Sequence, residues 1–275
     1  MTRREVIKMS ASATVASVLW PSVLSAQENV QGDGSWHFIS VNDLHYSAPA
    51  CRPWFDQLVV AMKASAPDAA FCLLGGDLTD SGTAVQMENI HASLQGLGMP
   101  LYATPGNHDY LTDTDRTAYD KHFPGHLNQV FEHRGWQIIG LDSSDGTLWS
   151  DTKIHPETFA WMDENLPKLD RTKPTIVWTH FPMGEGVKYR PLNADELFVR
   201  LSGFNVQAVL SGHWHAYTEK TWHDSTLTTD RCCSRVRDNH DGTKEKGWFV
   251  CTVRDGKVTR QFVEIPKELA TKPAD

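Results

Sequence analysis

The sequence predicts an α/β fold built around a β-sheet core, and two observations carry this prediction. Strand patterns alternate with helix patterns along most of the 275 residues, and further strands gather near the end. Polar residues cluster where the predicted strands end, which is where open α/β sheets place their sites. The apolar fraction of 40% is enough for a buried core. We therefore expect a folded α/β protein with its site at the carboxyl ends of strands.

The first half of the chain alternates strands and helices. SWHFISVNDLH is apolar and β-branched, and it predicts a strand that runs into Asn42 and Asp43. RPWFDQLVVAMKASAP has apolar residues at helical spacing and stops at Pro67. DAAFCLLGGDLTDSG predicts a buried strand that ends at a double glycine. Residues 83–97 then predict a helix, and PLYATPG predicts a short strand.

The second half begins and ends with paired strands. VFEHRGWQIIGLDSS predicts two strands around Arg134-Gly135, and HPETFAWMDENLPKL predicts an amphipathic helix. KPTIVWTHFPM and NVQAVLSGHWHAY each predict a strand followed by a polar loop. GWFVCTVRDGKVTRQFVEI predicts a hairpin whose tight turn is Asp255-Gly256.

Residues 1–26 have the order of an export signal. Arg3, Arg4 and Lys8 precede a weakly apolar stretch that ends in small residues, and TRREVIK resembles the twin-arginine (Tat) consensus. Alternatives are an uncleaved membrane anchor, which the Ser, Ala and Pro content disfavours, and a short buried helix. We expect a Tat-type signal over 1–26, a flexible spacer over 27–35, the Tat machinery as a partner, and a periplasmic or secreted protein without a stable membrane anchor.

Charge and cysteine content exclude several classes of protein. The formal net charge is −8, and removal of 1–26 would lower it to −10, so binding to nucleic acid or anionic membrane is not expected. The five cysteines are odd in number and irregularly spaced, which disfavours a disulfide framework, and they include no C-x-x-C pair, which disfavours a zinc knuckle. Cys232 and Cys233 are adjacent, and we expect one buried and one partly exposed thiol, with a redox role as the alternative.

Five predicted strand ends carry polar residues that form one set. Imidazoles, carboxylates and one amide, without cysteine, are typical of sites for borderline divalent or trivalent metals. Each residue alone is more typical of a structural histidine or a turn, so the joint occurrence carries the prediction. The i, i+2 pairs Asp43/His45 and His213/His215 would each face one side of an extended segment. The set comprises NDLH (Asp43, His45), GGDLTD (Asp77, Asp80), PGNHD (Asn107, His108, Asp109), THFP (His180) and SGHWH (His213, His215).

The order D-x-H, G-D-x-x-D, G-N-H-D, H, G-H-x-H resembles the calcineurin-like metallophosphoesterases, from Asp43 to His215. The resemblance implies a four-layer α/β/β/α sandwich with mixed sheets over residues 36–266, followed by a tail over 267–275. The segment HPETFAWMDENL after GLDSS resembles the Icc-type (class III cyclic-nucleotide) phosphodiesterase branch. Asp80 stands where purple acid phosphatases have a tyrosine ligand, so a tyrosinate–iron(III) centre is not expected.

The resemblance also implies roles for individual residues. One metal would be held by Asp43, His45 and His215, a second by Asn107, His180 and His213, and Asp77 would bridge them. His108 would donate a hydrogen bond or proton to the substrate, with Asp109 orienting it. The family uses Fe, Mn or Zn in various pairs, and the sequence does not select one.

The implied activity is hydrolysis of a small-molecule phosphate ester, with a phosphodiester favoured, by a hydroxide held between the two metals. There are three alternatives. The first is phosphomonoesterase or protein phosphatase activity on the same site, the second is a periplasmic metal- or partner-binding protein, and the third is a redox protein built on Cys232-Cys233. Tyr189, Arg190 and Arg235 are candidate substrate contacts. The loop with Arg231, Arg235, Arg237, His240 and Lys244 would line the site or be an ordinary solvated loop. Oligomeric state is not predicted.

Overall fold

Two mixed β-sheets form the centre of the fold in residues 34–270, the residues that the computed structural model describes. The predicted signal over 1–26 lies outside these residues, as do most of the predicted spacer and residues 271–275. The first sheet has the order β11-β10-β1-β2-β3, with β1–β2 and β2–β3 parallel and the other pairs antiparallel. Its strands are β1 Trp36–Val41, β2 Cys72–Leu74, β3 Leu101–Ala103, β10 Gly247–Arg254 and β11 Lys257–Glu264.

The second sheet has the order β4-β5-β6-β7-β9-β8. The pairs from β5 to β9 are parallel, and the two edge pairs are antiparallel. Its strands are β4 Gln129–His133, β5 Trp136–Gly140, β6 Pro174–Trp178, β7 Asn205–Ser211, β8 Thr218–Trp222 and β9 Ser225–Thr229. Both predicted tight turns are found, because Arg134-Gly135 and Asp255-Gly256 have the positive φ angles that two-residue hairpins require.

The helices pack on the outer faces of the sheets. They are α1 Arg52–Ser65, α2 Ala84–Leu94, α3 Thr117–His122, α4 Pro156–Asn165, α5 Ala194–Leu201 and α6 Lys267–Ala270. Thr83 caps α2 by accepting a hydrogen bond from the Gln86 N–H, which is why this helix begins where it does. Short 3₁₀ turns extend α2 to Leu97 and α4 to Lys168.

Three buried clusters separate four layers of structure. One cluster packs the first sheet against α1 and α2, and a second packs the second sheet against α4 and α5. The third lies between the sheets and includes Trp36, Phe38, Trp136 and Trp178. Strand β1 alternates between layers, because Trp36 and Phe38 face the other sheet whereas Ile39 packs toward the helices. The predicted α/β/β/α sandwich with mixed sheets is confirmed.

Three elements differ from the sequence expectation. The hairpin of β8 and β9 was not predicted, because the polar segment Ser225–Thr229 is a strand through its pairing with β7 and β8 rather than through a pattern of its own. Helix α5 was not predicted, although its buried residues Ala194, Leu197, Phe198 and Leu201 lie at helical spacing. The predicted tail begins with α6, where the Leu269 carbonyl accepts a hydrogen bond from the Trp54 indole at 2.8 Å. None of the helices within 34–270 is long and apolar enough to cross a membrane.

Candidate metal centre

The seven predicted ligands follow five strands and meet at one edge of the fold. Asp43 and His45 follow β1, Asp77 follows β2, Asn107 follows β3, His180 follows β6, and His213 and His215 follow β7. All seven side chains are buried; Asp77 is only 1% exposed and Asn107 only 3%. Burial of a polar group is unfavourable unless the group has a partner, so these side chains must interact with one another or with a bound ion.

Asp43, His45, Asp77 and His215 form the first cluster of potential ligand atoms. His215 Nε2 lies 3.2 Å from Asp43 Oδ1 and 3.2 Å from His45 Nε2. His45 Nε2 is in turn 3.6 Å from Asp77 Oδ2. Two carboxylates and two imidazole nitrogens therefore point at one small volume, which is a donor set suited to Fe, Mn or Zn.

Asp77, His180 and His213 form the second cluster. His180 Nε2 is 3.3 Å from Asp77 Oδ1 and 3.2 Å from His213 Nδ1. Asp77 therefore offers one carboxylate oxygen to each cluster. Asn107 Oδ1 is buried without a hydrogen-bond partner, so it is a free acceptor of the kind that a cation would satisfy. The residues present fit two metal ions that share the Asp77 carboxylate.

The backbone, rather than strand alternation, brings the paired ligands together. Asp43, His45, Asp77, His213 and His215 all have φ angles between 46° and 62°, in the left-handed region that non-glycine residues seldom adopt. The expectation that the i, i+2 pairs lie on extended segments is therefore wrong. The chain turns sharply after each strand, and such strained conformations persist where the surroundings hold them, commonly at functional sites.

Two motif glycines leave room for the carboxylates. A Cβ atom at Gly106 would clash with Asp77 Oδ1, and one at Gly212 would lie 2.6 Å from Asp43 Oδ2. The glycines that precede Asn107 and His213 are therefore needed for close approach between loops.

Backbone carbonyls fix the rings of three histidines. His180 Nδ1 donates to the Gly75 carbonyl at 2.8 Å, and His213 Nε2 donates to the Trp149 carbonyl at 2.9 Å. His215 Nδ1 faces the Asp238 carbonyl at 3.2 Å. A carbonyl accepts only a ring N–H, so the other nitrogen of each ring is left to face the clusters. Outer partners of this type orient metal-bound histidines.

The electrostatics of the clusters favour ionised carboxylates. Burial alone would raise the pKa of Asp77, but the facing His180 and the nearby His108 outweigh it and hold the pKa well below the ordinary value. Burial and the charge of His180 lower the pKa of His213 to about 3. Burial also opposes a charge on His180, but Asp77 outweighs it and raises that pKa to about 9. A bound cation would compete with the His180 proton for the same nitrogen.

The structure corrects the expected partnership of His108 and Asp109. The Asp109 carboxylate accepts hydrogen bonds from the Gly106 N–H at 2.9 Å and the Thr79 N–H at 3.0 Å, so it fixes the loop rather than the His108 ring. His108 Nδ1 instead faces the Asp80 carbonyl at 2.8 Å. No sequence pattern marks this contact, because any residue supplies a carbonyl.

A cavity of about 460 Å³ opens above the two clusters. His108 and Tyr189 line it, as does Arg237 from the late loop. Arg190 and Arg235 are not among its lining residues. Arg190 pairs with Asp195 at 2.6 Å, and Arg235 Nη1 lies 3.2 Å from Cys51 Sγ.

The late loop divides between the two readings that the sequence left open. Arg237 and His240 line the cavity, and the His240 ring stacks on His215 at 4.6 Å between centroids. Arg231, Arg235 and Lys244 do not line it. Cys232 and Cys233 are both buried free thiols, so the expectation of one partly exposed thiol is wrong.

Trp149 was missed by the sequence reasoning. It lines the cavity and its carbonyl holds His213. The carbonyl has no sequence signature, but a lone tryptophan in the polar segment SSDGTLWSD was a usable signal for the side chain.

Comparison with known proteins agrees with this geometry. The profile of the calcineurin-like phosphoesterase family matches residues 37–217, about two thirds of the chain. A probable cyclic nucleotide phosphodiesterase of Synechococcus sp. is 28% identical over 167 residues, which cover 56% of this chain and 60% of the relative. A probable glycerophosphodiester phosphodiesterase, GpdQ, of Arcobacter nitrofigilis is 26% identical over 173 residues, covering 59% and 63% respectively. The chain thus spans about 60% of the length of these curated relatives.

Solved structures share the fold at low sequence identity. Purple acid phosphatase PPD1 from yellow lupin superposes with a TM-score of 0.62 at 12% identity, covering 84% of this chain and 53% of that one. GAP50, described as the anchor in the inner membrane complex of Plasmodium, superposes with a TM-score of 0.56 at 14% identity, covering 84% of each chain. These likenesses show the architecture alone.

Proposed function

Because this chain belongs to the calcineurin-like phosphoesterase family, we propose that it hydrolyses phosphate esters with two metal ions held by the two clusters. The observation that carries the proposal is the position of Asp77, whose two oxygens face different sets of histidines. A single carboxylate shared in this way is suited to two ions held close together.

The donor set defines which residues would hold each ion. Asp43, His45 and His215 surround one face of Asp77, and His180 and His213 surround the other. We place Asn107 on the second ion because its buried Oδ1 has no other partner. Two bound ions supply a water of lowered pKa and positive charge for phosphoryl oxygens.

His108 is the residue best placed to act on the substrate. It lines the cavity, its backbone N–H donates to Asp77 Oδ1 at 2.9 Å, and its ring Nδ1 faces the Asp80 carbonyl at 2.8 Å. With Nδ1 donating to that carbonyl, Nε2 is left to approach the ester. When both ring nitrogens carry a proton, the Nε2–H of His108 hydrogen-bonds a phosphoryl oxygen or passes its proton to the leaving alcohol.

We favour phosphodiesters over phosphomonoesters as substrates. The two curated relatives described above carry diesterase names, one for cyclic nucleotides and one for glycerophosphodiesters. A phosphomonoesterase or protein phosphatase would use the same clusters. A non-enzymatic metal- or partner-binding role is disfavoured by the convergence of all seven ligand side chains.

Export through the Tat pathway is a further part of the proposal. It rests on Arg3, Arg4 and the apolar, small-residue segment up to Ala26. The protein would then act in the periplasm or outside the cell. Tat export carries folded proteins, which suits a chain that takes up its ions before it leaves the cytoplasm.

Turnover of two synthetic esters tests the activity. Protein loaded with Mn²⁺ or Fe, with its metal content measured, is assayed on bis-p-nitrophenyl phosphate and on p-nitrophenyl phosphate. We expect metal-dependent hydrolysis with the diester preferred. Metal-loaded protein that hydrolyses neither ester contradicts the proposal, and a preference for the monoester favours the phosphomonoesterase alternative.

A further inference from the structure

An apolar rim, formed by Trp149 and Leu111, borders the cavity above the metal clusters. Trp149 is 59% exposed and Leu111 is 52% exposed, and both line the cavity. Large apolar side chains beside a ligand cavity, rather than scattered over the surface, indicate contact with an apolar part of the ligand.

The position of Trp149 is fixed relative to the clusters. Its carbonyl accepts the hydrogen bond from His213, and its ring packs edge-on against Tyr189 at 5.7 Å between centroids. The Tyr189 ring is in turn 5.2 Å from the His213 imidazole. The indole is therefore tied to a proposed metal ligand through both backbone and ring contacts.

A second contact joins the two loops that carry the rim. The Thr147 hydroxyl donates a hydrogen bond to the Asp113 carboxylate, and Gly146 lies against the Asp113 backbone. Leu111 and Trp149 are each within two residues of this junction. The rim is therefore built from two loops held together, which favours a preformed surface.

The cavity also has a charged part. Arg237 lines it, and its guanidinium is held by Asp80. The negative charge of a phosphoryl group would be bound by metal ions at the clusters and by Arg237. The apolar rim is then available for the organic group of an ester. A flat aromatic group suits an exposed indole, since stacking on an aromatic side chain commonly changes affinity by about tenfold or more.

We propose that Trp149 is a specificity-determining residue that selects phosphate esters whose alcohol carries an aromatic ring. This inference rests on the proposed function, because the phosphoryl group must bind at the clusters for the alcohol to reach the rim.

A pair of phosphonates that differ only in their organic group tests the inference. Dissociation constants of phenylphosphonate and methylphosphonate are measured by titration calorimetry on Mn²⁺-loaded protein, so that no leaving group affects the comparison. We expect wild-type protein to bind phenylphosphonate about tenfold more tightly. Trp149→Ala, which keeps the carbonyl that holds His213, should lower this ratio to about two while leaving methylphosphonate binding unchanged. Trp149→Phe should keep most of it.

Leu148→Ala is the matched control. Leu148 is the exposed neighbour of Trp149, at 49%, and it does not line the cavity, so its removal should not change the ratio. A wild-type ratio near one, or an equal ratio in Trp149→Ala, contradicts the inference while ester hydrolysis stands. Failure of both phosphonates to bind metal-loaded wild-type protein contradicts the metal-centred function together with the inference.

Discussion

Asp80 and Arg237 form an ion pair at the edge of the cavity. Asp80 Oδ1 accepts hydrogen bonds from Arg237 Nε at 2.8 Å and from Nη2 at 2.6 Å. The same oxygen lies 3.4 Å from His45 Nδ1, which is an ion-pair distance. His45 Nε2 belongs to the first cluster. The Asp80 carboxylate therefore contacts both a proposed metal ligand, His45, and the guanidinium of Arg237 that lines the cavity.

Asp80→Asn should weaken metal binding at the first cluster. The substitution keeps the size of the side chain and does not alter the backbone carbonyl that faces His108. It removes the negative charge beside His45. Loss of such an outer partner commonly lowers metal affinity by about 10- to 100-fold. Metal titration followed by calorimetry measures the change. Asp56→Asn, at the exposed Arg52–Asp56 pair on α1, is the control and should leave metal affinity as it is.

His108→Ala and Asp77→Ala should separate catalysis from metal binding. His108 is not a predicted ligand, so its removal should leave the metal content intact and lower kcat by about 10²- to 10⁴-fold. Asp77 faces both clusters, so the Asp77→Ala variant should have a lower metal content than the wild type. Elemental analysis and steady-state kinetics on the same preparations decide the point. Equal metal loss in the two variants would show that the roles are not divided in this way.

Removal of metal should lower the thermal stability of the protein. An ion that binds only the folded state at 100 times its Kd adds about 2.7 kcal/mol. For a domain of this size, that corresponds to a Tm increase of roughly 5–10 °C. Calorimetry with and without chelator measures the shift, and Mn²⁺ should restore it better than Mg²⁺ because Mg²⁺ prefers oxygen ligands. Identical melting curves would argue against a filled centre.

Asp230 should make stability fall as pH rises. Burial raises the pKa of its carboxyl well above the ordinary value, and its Oδ2 has no hydrogen-bond partner. The folded state keeps a proton that the unfolded state has already lost, so stability falls between the unfolded and folded pKa values by up to about 1.4 kcal/mol per pH unit. Above the folded pKa the penalty is constant. Denaturant unfolding across pH should show a flatter dependence, and higher stability at pH 8, for Asp230→Asn. A profile identical to wild type would contradict this.

Replacement of Arg3 and Arg4 by lysine should block export. Tat signals are recognised through the paired arginines, so the double variant should stay in the cytoplasmic fraction as an unprocessed chain. Cell fractionation and mass determination of the amino terminus measure this. Lys8→Arg keeps the charge outside the pair and serves as the control. Export of the double variant would remove the basis for a periplasmic location.

The side chains of the centre were predictable from the sequence, whereas much of their support was not. Asp43, Asp77 and His180 lie in short motifs at strand ends, and a motif is a local pattern. Their convergence depends on the parallel pairing of distant strands and on left-handed φ angles that non-glycine residues keep only where the surroundings hold them. The Thr-rich strand β9 shows the same limit, because its pairing with β7 and β8 makes it a strand. The Asp80 contact with Arg237 spans 157 positions, and no spacing rule connects residues so far apart.

The carbonyls that orient His180, His213 and His215 have a consequence for mutational robustness. Every amino acid supplies a carbonyl, so no single substitution at Gly75, Trp149 or Asp238 deletes the acceptor itself. A saturation-mutagenesis screen would therefore identify the seven ligands but would not detect the backbone carbonyls that orient the histidine rings. The side chain at Trp149 can therefore change, and with it the contact to the organic group, while the His213 imidazole keeps its orientation; Gly75 is less variable, because a Cβ atom there would lie 3.1 Å from Asn42 Cβ.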